Sequence, residues 1–254
     1  MTLLTLSFLF PTQKAEDVLR WMFQVKENGN TQVEPNTIAF TSVCDAWSKS
    51  NESDAVERVY GLIDWMNELS DSGHTDVRPN EYTYNCLLTA IARSKDPKKA
   101  NKAMVVLRHI QSDHNLSVNM FNYNNVLSAC AYTHGSTTDR FNAIKVAIQI
   151  MEEAIDKSTL DDRLNVTFGI FFQACANLMK NESEKAKIEK IVEAVFHQSC
   201  EKGQVDTKLL LQFRKAATQQ LYLKIFGRYE TFPRINIHDI PRAWKENVVQ
   251  LRNM

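Results

Sequence analysis

Asparagine side chains recur at regular positions along this sequence. Asn80 and Asn119 stand where helices are expected to begin, and Asn85 and Asn124 follow each of them by five residues. An asparagine amide carries two N–H donors and a carbonyl acceptor, so it can pair with the Watson–Crick edge of a nucleotide base. At a helix start it can equally be an N-cap that accepts from the first backbone N–H groups. The two roles are compatible, and spacing alone leaves both open.

Motifs of catalytic chemistry do not occur in the sequence. It contains no glycine-rich phosphate-binding motif, no H-E-x-x-H, no H-x-E and no C-x-x-C, which are signatures of nucleotide, metalloprotease and zinc deaminase sites. The six histidines are scattered, and the paired carboxylates Asp161 and Asp162 fall in an expected loop without a third acidic neighbour. We therefore expect a protein that is not an enzyme and that uses no metal, cofactor or small-molecule substrate.

The elements that carry the asparagines form an internal repeat. The segment V-E-P-N-T-I-A-F-T at residues 33–41 returns as V-R-P-N-E-Y-T-Y-N at residues 77–85, 44 residues later. It returns in weaker form 39 residues further on, where Asn119 and Phe121 match Asn80 and Tyr82, and again 45 residues after that, where Val166 matches Phe121. A small residue marks the same place in each copy: Ala46, Ala90, Ala129 and Ala174. A fixed period of this length indicates a repeat architecture.

Each copy of the repeat reads as two helices. In the second copy, Pro79 breaks the chain and Asn80 precedes apolar residues at helical spacing. Asp96 and Pro97 then begin a second amphipathic helix. One such hairpin leaves an apolar face uncovered, and stacked hairpins bury it. The sequence therefore predicts an all-α protein, an α-solenoid of stacked helix-turn-helix repeats without a sheet. The hairpins are expected to start near Ile38, Tyr82, Phe121 and Val166.

The predicted organisation has three parts. Residues 1–13 are an apolar leader of unclear role, residues 14–202 hold the repeats, and residues 203–254 form a helical C-terminal cap. Within the repeats we expect one partial copy and four fuller copies, at residues 14–36, 37–80, 81–119, 120–164 and 165–202. In the C-terminal cap we expect one helix over residues 205–226 and a short final helix over residues 240–251.

Composition narrows the class of protein. Hydrophobic residues make up 44% and charged residues 24% of the chain, which is typical of a folded globular protein. The net charge is zero, with a mild basic excess after residue 180 that hints at polyanion contact or is an ordinary solvated surface. Five cysteines without a C-x-x-C indicate reduced, intracellular thiols. No clear transit peptide is visible, and no apolar run is long enough to span a bilayer.

Three segments resemble the pentatricopeptide repeat family: VEPNTIAFTSVCDAWSKS, VRPNEYTYNCLLTAIARS and VNMFNYNNVLSACAYT. The family signature is a Pro-Asp/Asn pair, a Thr-Tyr-Asn-like tripeptide and a helix ending in a basic residue followed by Ser or Ala. The copies here are longer than the family's repeats. The copy near residue 164 lacks the Pro-Asn pair and has Gly169 where the family has Asn or Thr. The resemblance covers roughly residues 14–202 and implies a right-handed superhelix.

The resemblance also implies single-stranded RNA as the partner. In the family, a polar residue of each first helix and a second one just after the closing Pro meet the same base. An apolar residue near the helix start packs on the face of the base. The residues expected to bind RNA are therefore Thr41, Asn80, Asn85, Asn119 and Asn124, and those expected to stack on bases are Ile38, Tyr82 and Phe121. The expected pairs are Thr41 with Asn80 and Asn85 with Asn119. Asn124 has only Leu164 as its counterpart.

These features predict a non-catalytic helical-repeat protein that binds single-stranded RNA through its concave face. The resemblance alone suggests a role in RNA processing, stability or translation in a mitochondrion or plastid. The alternative is a protein–protein interaction scaffold, because related solenoids hold peptides on the same surface. The neutral charge and the small number of repeats favour protein partners, whereas the regularly placed polar residues favour RNA.

Overall fold

The structure is a computed structural model that describes residues 11–30, 32–159, 164–229 and 233–248. Within these ranges the chain is all helical and contains no strand, which confirms the all-α fold predicted from the repeat. None of the described helices is both long and apolar enough to cross a membrane. Most of the predicted leader, residues 1–10, and the acidic pair at residues 161–162 lie outside the described residues.

Twelve α-helices are found in the described part of the chain. The helices of its first half are α1 Pro11–Glu27, α2 Thr37–Lys49, α3 Ala55–Asp71, α4 Glu81–Arg93, α5 Lys99–Ser112, α6 Met120–Ala131 and α7 Thr137–Lys157. Those of its second half are α8 Leu164–Leu178, α9 Glu182–Ala186, α10 Glu189–Glu201, α11 Thr207–Ala216 and α12 Gln219–Phe226, followed by a 3-10 turn at Arg242–Trp244. The helices α2, α4, α6 and α8 begin where the hairpins were expected to start, and we call them the first helices.

Asparagine N-caps begin three of the four first helices. Asn36, Asn80 and Asn119 accept hydrogen bonds from backbone N–H groups of α2, α4 and α6. The caps of α4 and α6 are reciprocal, because the third helical residue, Thr83 or Asn122, accepts in return from the backbone N–H of the cap. The sequence-based capping interpretation is therefore confirmed. These bonds satisfy backbone donors that the helix cannot satisfy itself.

The chain divides into two compact units. The first comprises Met1–Asp96 and Val105–Val118, and within it α2 packs against α1, α3 and α4. The second comprises Pro97–Met104 and Asn119–Met254, and within it α8 packs against α6, α7, α10 and α11. In both units, consecutive first helices lie directly against one another.

The recurring alanines lie on the first helices, as the repeat indicated. Ala90, Ala129 and Ala174 are buried, with at most 3% of their surface exposed. Ala46 is the exception, because it is partly exposed. This repeat position is therefore closed by packing on α4, α6 and α8 and partly open on α2.

Two predictions for the C-terminal region were wrong. The single helix expected over residues 205–226 is two helices, because Ala217 is extended and the Thr218 hydroxyl caps α12 by accepting from Leu221 N at 3.0 Å. The final helix expected from residue 240 is only the 3-10 turn at Arg242–Trp244 and further turns up to residue 248. The positions beyond residue 248 lie outside the described residues.

Backbone hydrogen bonds between distant segments explain why the final helix does not form. Val205 N donates to Trp244 O at 2.8 Å, and Asn247 N donates to Gly203 O at 3.0 Å. These backbone groups join the C-terminal segment to the loop before α11, so they are not available for bonds along a helix. Trp244 meanwhile packs on the buried Phe196 with the two rings nearly perpendicular.

We expect Ala90→Leu to lower the free energy of unfolding by about 1–3 kcal/mol, because a larger side chain overpacks a closed helix contact. Ala46→Leu is the matched control. It makes the same change at the same repeat position, where partial exposure gives the new side chain room, so its effect should be smaller. Chemical denaturation of both variants measures the difference. Equal losses would show that the contact at Ala90 is not close.

Candidate nucleic-acid interface

Each first helix exposes a large apolar side chain at its start. In the first unit, Ile38 and Tyr82 are 74% and 66% exposed. In the second unit, Phe121 and Val166 are 73% and 46% exposed. Three of these were expected from the sequence to stack on bases, and Val166 is added by the structure. Exposed apolar residues scattered singly are common, but recurrence at one position of every repeat indicates a shared role.

The helical period explains why these side chains cannot be buried. Two residues after each exposed position stands an aromatic residue that is buried: Phe40, Tyr84, Tyr123 and Phe168. Residues two apart on an α-helix point about 200° away from each other around its axis. When the aromatic residue of such a pair is buried in the core, the apolar residue two positions before it therefore points toward solvent.

A chain of hydrogen bonds joins the polar residues of the first unit. The hydroxyl oxygens of Thr41 on α2 and Thr83 on α4 lie 2.9 Å apart. The Thr83 hydroxyl donates to Asn80 Oδ1 at 3.1 Å and accepts from Asn80 N at 3.3 Å. Thr41 and Asn80, which were expected to share one base, are thus linked through a single buried threonine.

Asn80 keeps donors available while it caps its helix. Its Oδ1 accepts from the backbone N–H groups of Tyr82 and Thr83, both at 3.1 Å. No acceptor for Asn80 Nδ2 occurs within the part of the chain that the structure describes. Asn80 is about half-buried. It can therefore serve as a cap through its oxygen and offer its amide N–H groups to a ligand.

Asn85 lies in the first unit and Asn119 in the second. Asn85 is partly exposed on α4. Asn119 accepts from Phe121 N at 3.0 Å and from Asn122 N at 3.3 Å, so its oxygen is the N-cap of α6. The expectation that these two asparagines share one base remains a prediction.

Asn124 and Thr167 occupy in the second unit the positions that Thr41 and Thr83 occupy in the first. The buried atoms Asn124 Oδ1 and Thr167 Oγ1 have no hydrogen-bond partner in the described structure. Leu164, the only counterpart that the sequence offered for Asn124, is 2% exposed and apolar. The next residue, Asn165, donates through Nδ2 to Asp206 Oδ2 at 2.8 Å. The surroundings of Asn124 are therefore polar, but they lack the hydrogen bond that joins Thr41 to Thr83 in the first unit.

The structure adds a fifth helix of the same kind, which the sequence analysis had placed in the C-terminal cap. Asp206 caps α11 by accepting from Leu209 N at 2.6 Å, and α11 packs against α8, as α6 does. The second and fifth residues of α11, Lys208 and Leu211, are exposed. The signal for this helix was present in the sequence as Asp206 before apolar residues at helical spacing.

α11 differs from α6 and α8 in carrying basic side chains. α11 carries three basic residues and no acidic one, whereas α6 and α8 carry no charged residue. Lys208, Arg214 and Lys215 are all exposed. Cationic side chains at the end of an apolar row are suited to the phosphate groups of a strand whose bases lie along the row.

The cysteines do not offer reactive or metal-binding thiolates. All five are buried. Burial raises the pKa of Cys86 and of Cys200 to about 12, and it raises the pKa of Cys44, Cys130 and Cys175 further. At neutral pH these thiols stay protonated. The described residues hold no group of three or more side chains suited to a metal ion.

The two buried threonines permit a matched stability test. Thr83→Val removes a hydroxyl that is bonded to Thr41 and Asn80, so we expect the free energy of unfolding to fall by about 1–2 kcal/mol. Thr167→Val removes a buried hydroxyl that has no partner, so stability should stay the same or rise by up to about 1 kcal/mol. Both changes keep a β-branched side chain in a helix. Similar losses in the two variants, measured by denaturant titration, would contradict the hydrogen-bond assignment.

Comparison with known proteins bears on the second copy of the repeat. A search of the curated proteins and a search of the solved structures each gave no match. A family model for the pentatricopeptide repeat domain matches residues 69–109, a range that includes α4 and most of α5. The match confirms the resemblance that the segment VRPNEYTYNCLLTAIARS predicted, and over these residues the chain carries the pattern of the pentatricopeptide repeat domain.

Proposed function

We propose that this protein binds single-stranded RNA through the N-terminal ends of its first helices. One observation carries the proposal. In each unit an exposed apolar residue at the second helical position stands beside a polar residue at the fifth, as Tyr82 stands beside Asn85 and Phe121 beside Asn124. An unpaired base needs such a combination, because its face stacks on apolar groups while its edge forms hydrogen bonds.

The first unit offers the most complete site. Packed helices have axes about 8–10 Å apart. A base between two side chains needs about 7 Å, which is twice the contact distance of carbon atoms. The neighbouring starts of α2 and α4, joined by the bond between Thr41 and Thr83, therefore suit a base inserted between Ile38 and Tyr82. Its edge would meet Thr41 and Asn80.

The second unit offers an arrangement of the same kind within itself. Phe121 and Val166 are exposed at the starts of the neighbouring helices α6 and α8, with Asn124 at the fifth position of α6. At the next helix, α11, Lys208 takes the second position. The row in this unit therefore offers one further base site and then a cation for a phosphate.

The expected affinity is modest. Stacking contributes about 1–3 kcal/mol per base before the strand is ordered. With a net charge of zero, the protein gains little from long-range attraction to RNA. We therefore propose that it acts together with a second RNA-binding component. From the family resemblance we propose a setting in RNA processing, stability or translation in a mitochondrion or plastid.

A protein–protein scaffold is the second candidate. It is favoured by the uncharged first helices α6 and α8 and by the exposed Leu211 at the fifth position of α11. The two candidates differ in salt dependence, because RNA binding releases counterions and weakens as salt rises. A peptide held on apolar surface does not show that dependence.

Selection from a random single-stranded RNA pool tests the proposal. The intact chain should enrich a short motif at micromolar protein, and Tyr82→Ala should weaken binding of the selected RNA by about 5-fold to about 150-fold through the loss of one stacked base. Trp21→Ala is the control, because Trp21 is an aromatic residue of the same unit that is 55% exposed on α1. Absence of any enriched motif, or equal losses in both variants, would favour the scaffold.

We expect the salt dependence of binding to report on α11. Lys208→Ala should reduce the slope of log Kd against log salt by about 0.7, the value for one phosphate contact on a single strand. Lys190→Ala serves as the comparison, because Lys190 is exposed on α10, which is not a first helix. An unchanged slope in the Lys208 variant would show that Lys208 on α11 does not contact an RNA phosphate.

A further inference from the structure

A buried polar residue follows the exposed apolar residue near the start of α4, α6 and α8. Thr83, Asn122 and Thr167 each have 0% of their surface exposed. Burying a polar group is unfavourable unless its hydrogen bonds are formed. A polar side chain that recurs at such a position therefore needs a reason beyond packing. In the first unit the bonds of Thr83 reveal one.

The Thr83 hydroxyl is saturated in the arrangement that the structure describes. A hydroxyl has one proton to donate and two lone pairs that accept. Thr83 accepts from Asn80 N at 3.3 Å and lies 3.1 Å from Asn80 Oδ1, an oxygen that can only accept. The Thr83 proton must therefore point at Asn80 Oδ1, since otherwise two bare oxygens would face each other. The second lone pair of Thr83 then receives the proton of Thr41, whose oxygen is 2.9 Å away.

This routing of protons fixes what the site presents to a ligand. The Thr41 proton is used inside the protein, so the Thr41 oxygen faces the ligand as an acceptor only. Asn80 Oδ1 is occupied by Thr83 and by two backbone N–H groups, so Asn80 faces the ligand through Nδ2 as a donor only. Thr83, which contacts no ligand, thereby determines whether Thr41 donates or accepts, while the backbone cap bonds fix the orientation of the Asn80 amide.

We propose that Thr83 is a positioning residue that makes the site in the first unit selective for one hydrogen-bonding pattern. The ligand is a nucleotide base that directs a donor at Thr41 and an acceptor at Asn80. This inference rests on the proposed binding of single-stranded RNA and adds a determinant of its specificity. In the second unit, Asn124 and Thr167 stand at the equivalent positions without that bond, so Thr167 does not fix the sense of its neighbour.

Two substitutions at position 83 separate positioning from packing. Thr83→Val keeps the shape and leaves Asn80 capped by two backbone N–H groups, but it frees the Thr41 hydroxyl to donate or accept. Thr83→Asn places an amide where α6 already has one, since Asn122 Oδ1 accepts from Asn119 N at 2.8 Å. The amide of Thr83→Asn can donate to the Thr41 oxygen. The Thr41 proton would then point toward the ligand, so Thr41 would be a donor and no longer an acceptor.

The readout is the base preference at single nucleotides of the motif that the intact chain selects. In the wild type we expect one nucleotide with a preference of about fivefold or more, the lower end of what a paired base contact gives, and this preference should fall to about twofold or less in Thr83→Val. Thr83→Ser should keep the preference, and Thr83→Asn should move it to a different base. The other nucleotides of the motif should be unaffected, and Thr167→Val should change no preference.

A double-mutant comparison completes the test. Thr41→Val removes the group through which Thr83 acts, so adding Thr83→Val to it should have no further effect on base preference. Unchanged preference in both Thr83→Val and Thr83→Asn, or an equal loss of affinity at every nucleotide, would overturn the positioning role while RNA binding stands. If the wild-type chain enriches no RNA, the proposed function fails and this inference falls with it.

Discussion

The apolar faces of the first helices constrain everything else in each unit. A helical hairpin buries one face internally and leaves a second that only a neighbouring hairpin can cover. Here the cover is another first helix, packed on α2 by α4 and on α8 by α6 and α11. Small residues such as Ala129 and Ala174, which are fully buried, allow that approach. Because the contact runs along consecutive first helices, their N-terminal ends line up within a unit.

The alignment of helix starts has a chemical consequence. Helix starts carry backbone donors that need caps, and capping by Asn80 brings a polar side chain to the beginning of α4. The helical period places an exposed apolar residue, a buried polar residue and a buried aromatic residue in succession, as in Tyr82, Thr83 and Tyr84. Stacking surface and hydrogen-bonding groups therefore lie side by side as a result of folding, and a base-binding site requires little beyond what the repeat already provides.

The second unit shows how the pattern changes along the chain. The hydrogen-bonded pair of the first unit becomes an unbonded pair at Asn124 and Thr167. At α11 the apolar second position becomes Lys208 and the polar fifth position becomes Leu211. The C-terminal segment then covers the loop before α11 through backbone bonds from Val205 and to Gly203. The side chains proposed to contact bases thus give way to charged side chains and to a structural cap over successive helices.

The sequence by itself determined the helical hairpins and their starting points, because the helical period and the N-cap signals are local. The family resemblance pointed to Ile38, Tyr82 and Phe121, and the structure showed that all three are exposed. It did not determine that residues 205–226 form two helices, which an extended Ala217 and the cap at Thr218 separate. Nor did it determine that residues after 240 form turns, since backbone bonds to a distant segment decide that. Nor did it indicate the role of Thr83, which local spacing presents as a capping residue only. Its bond to Thr41, 42 residues away along the chain, exists because two first helices pack together.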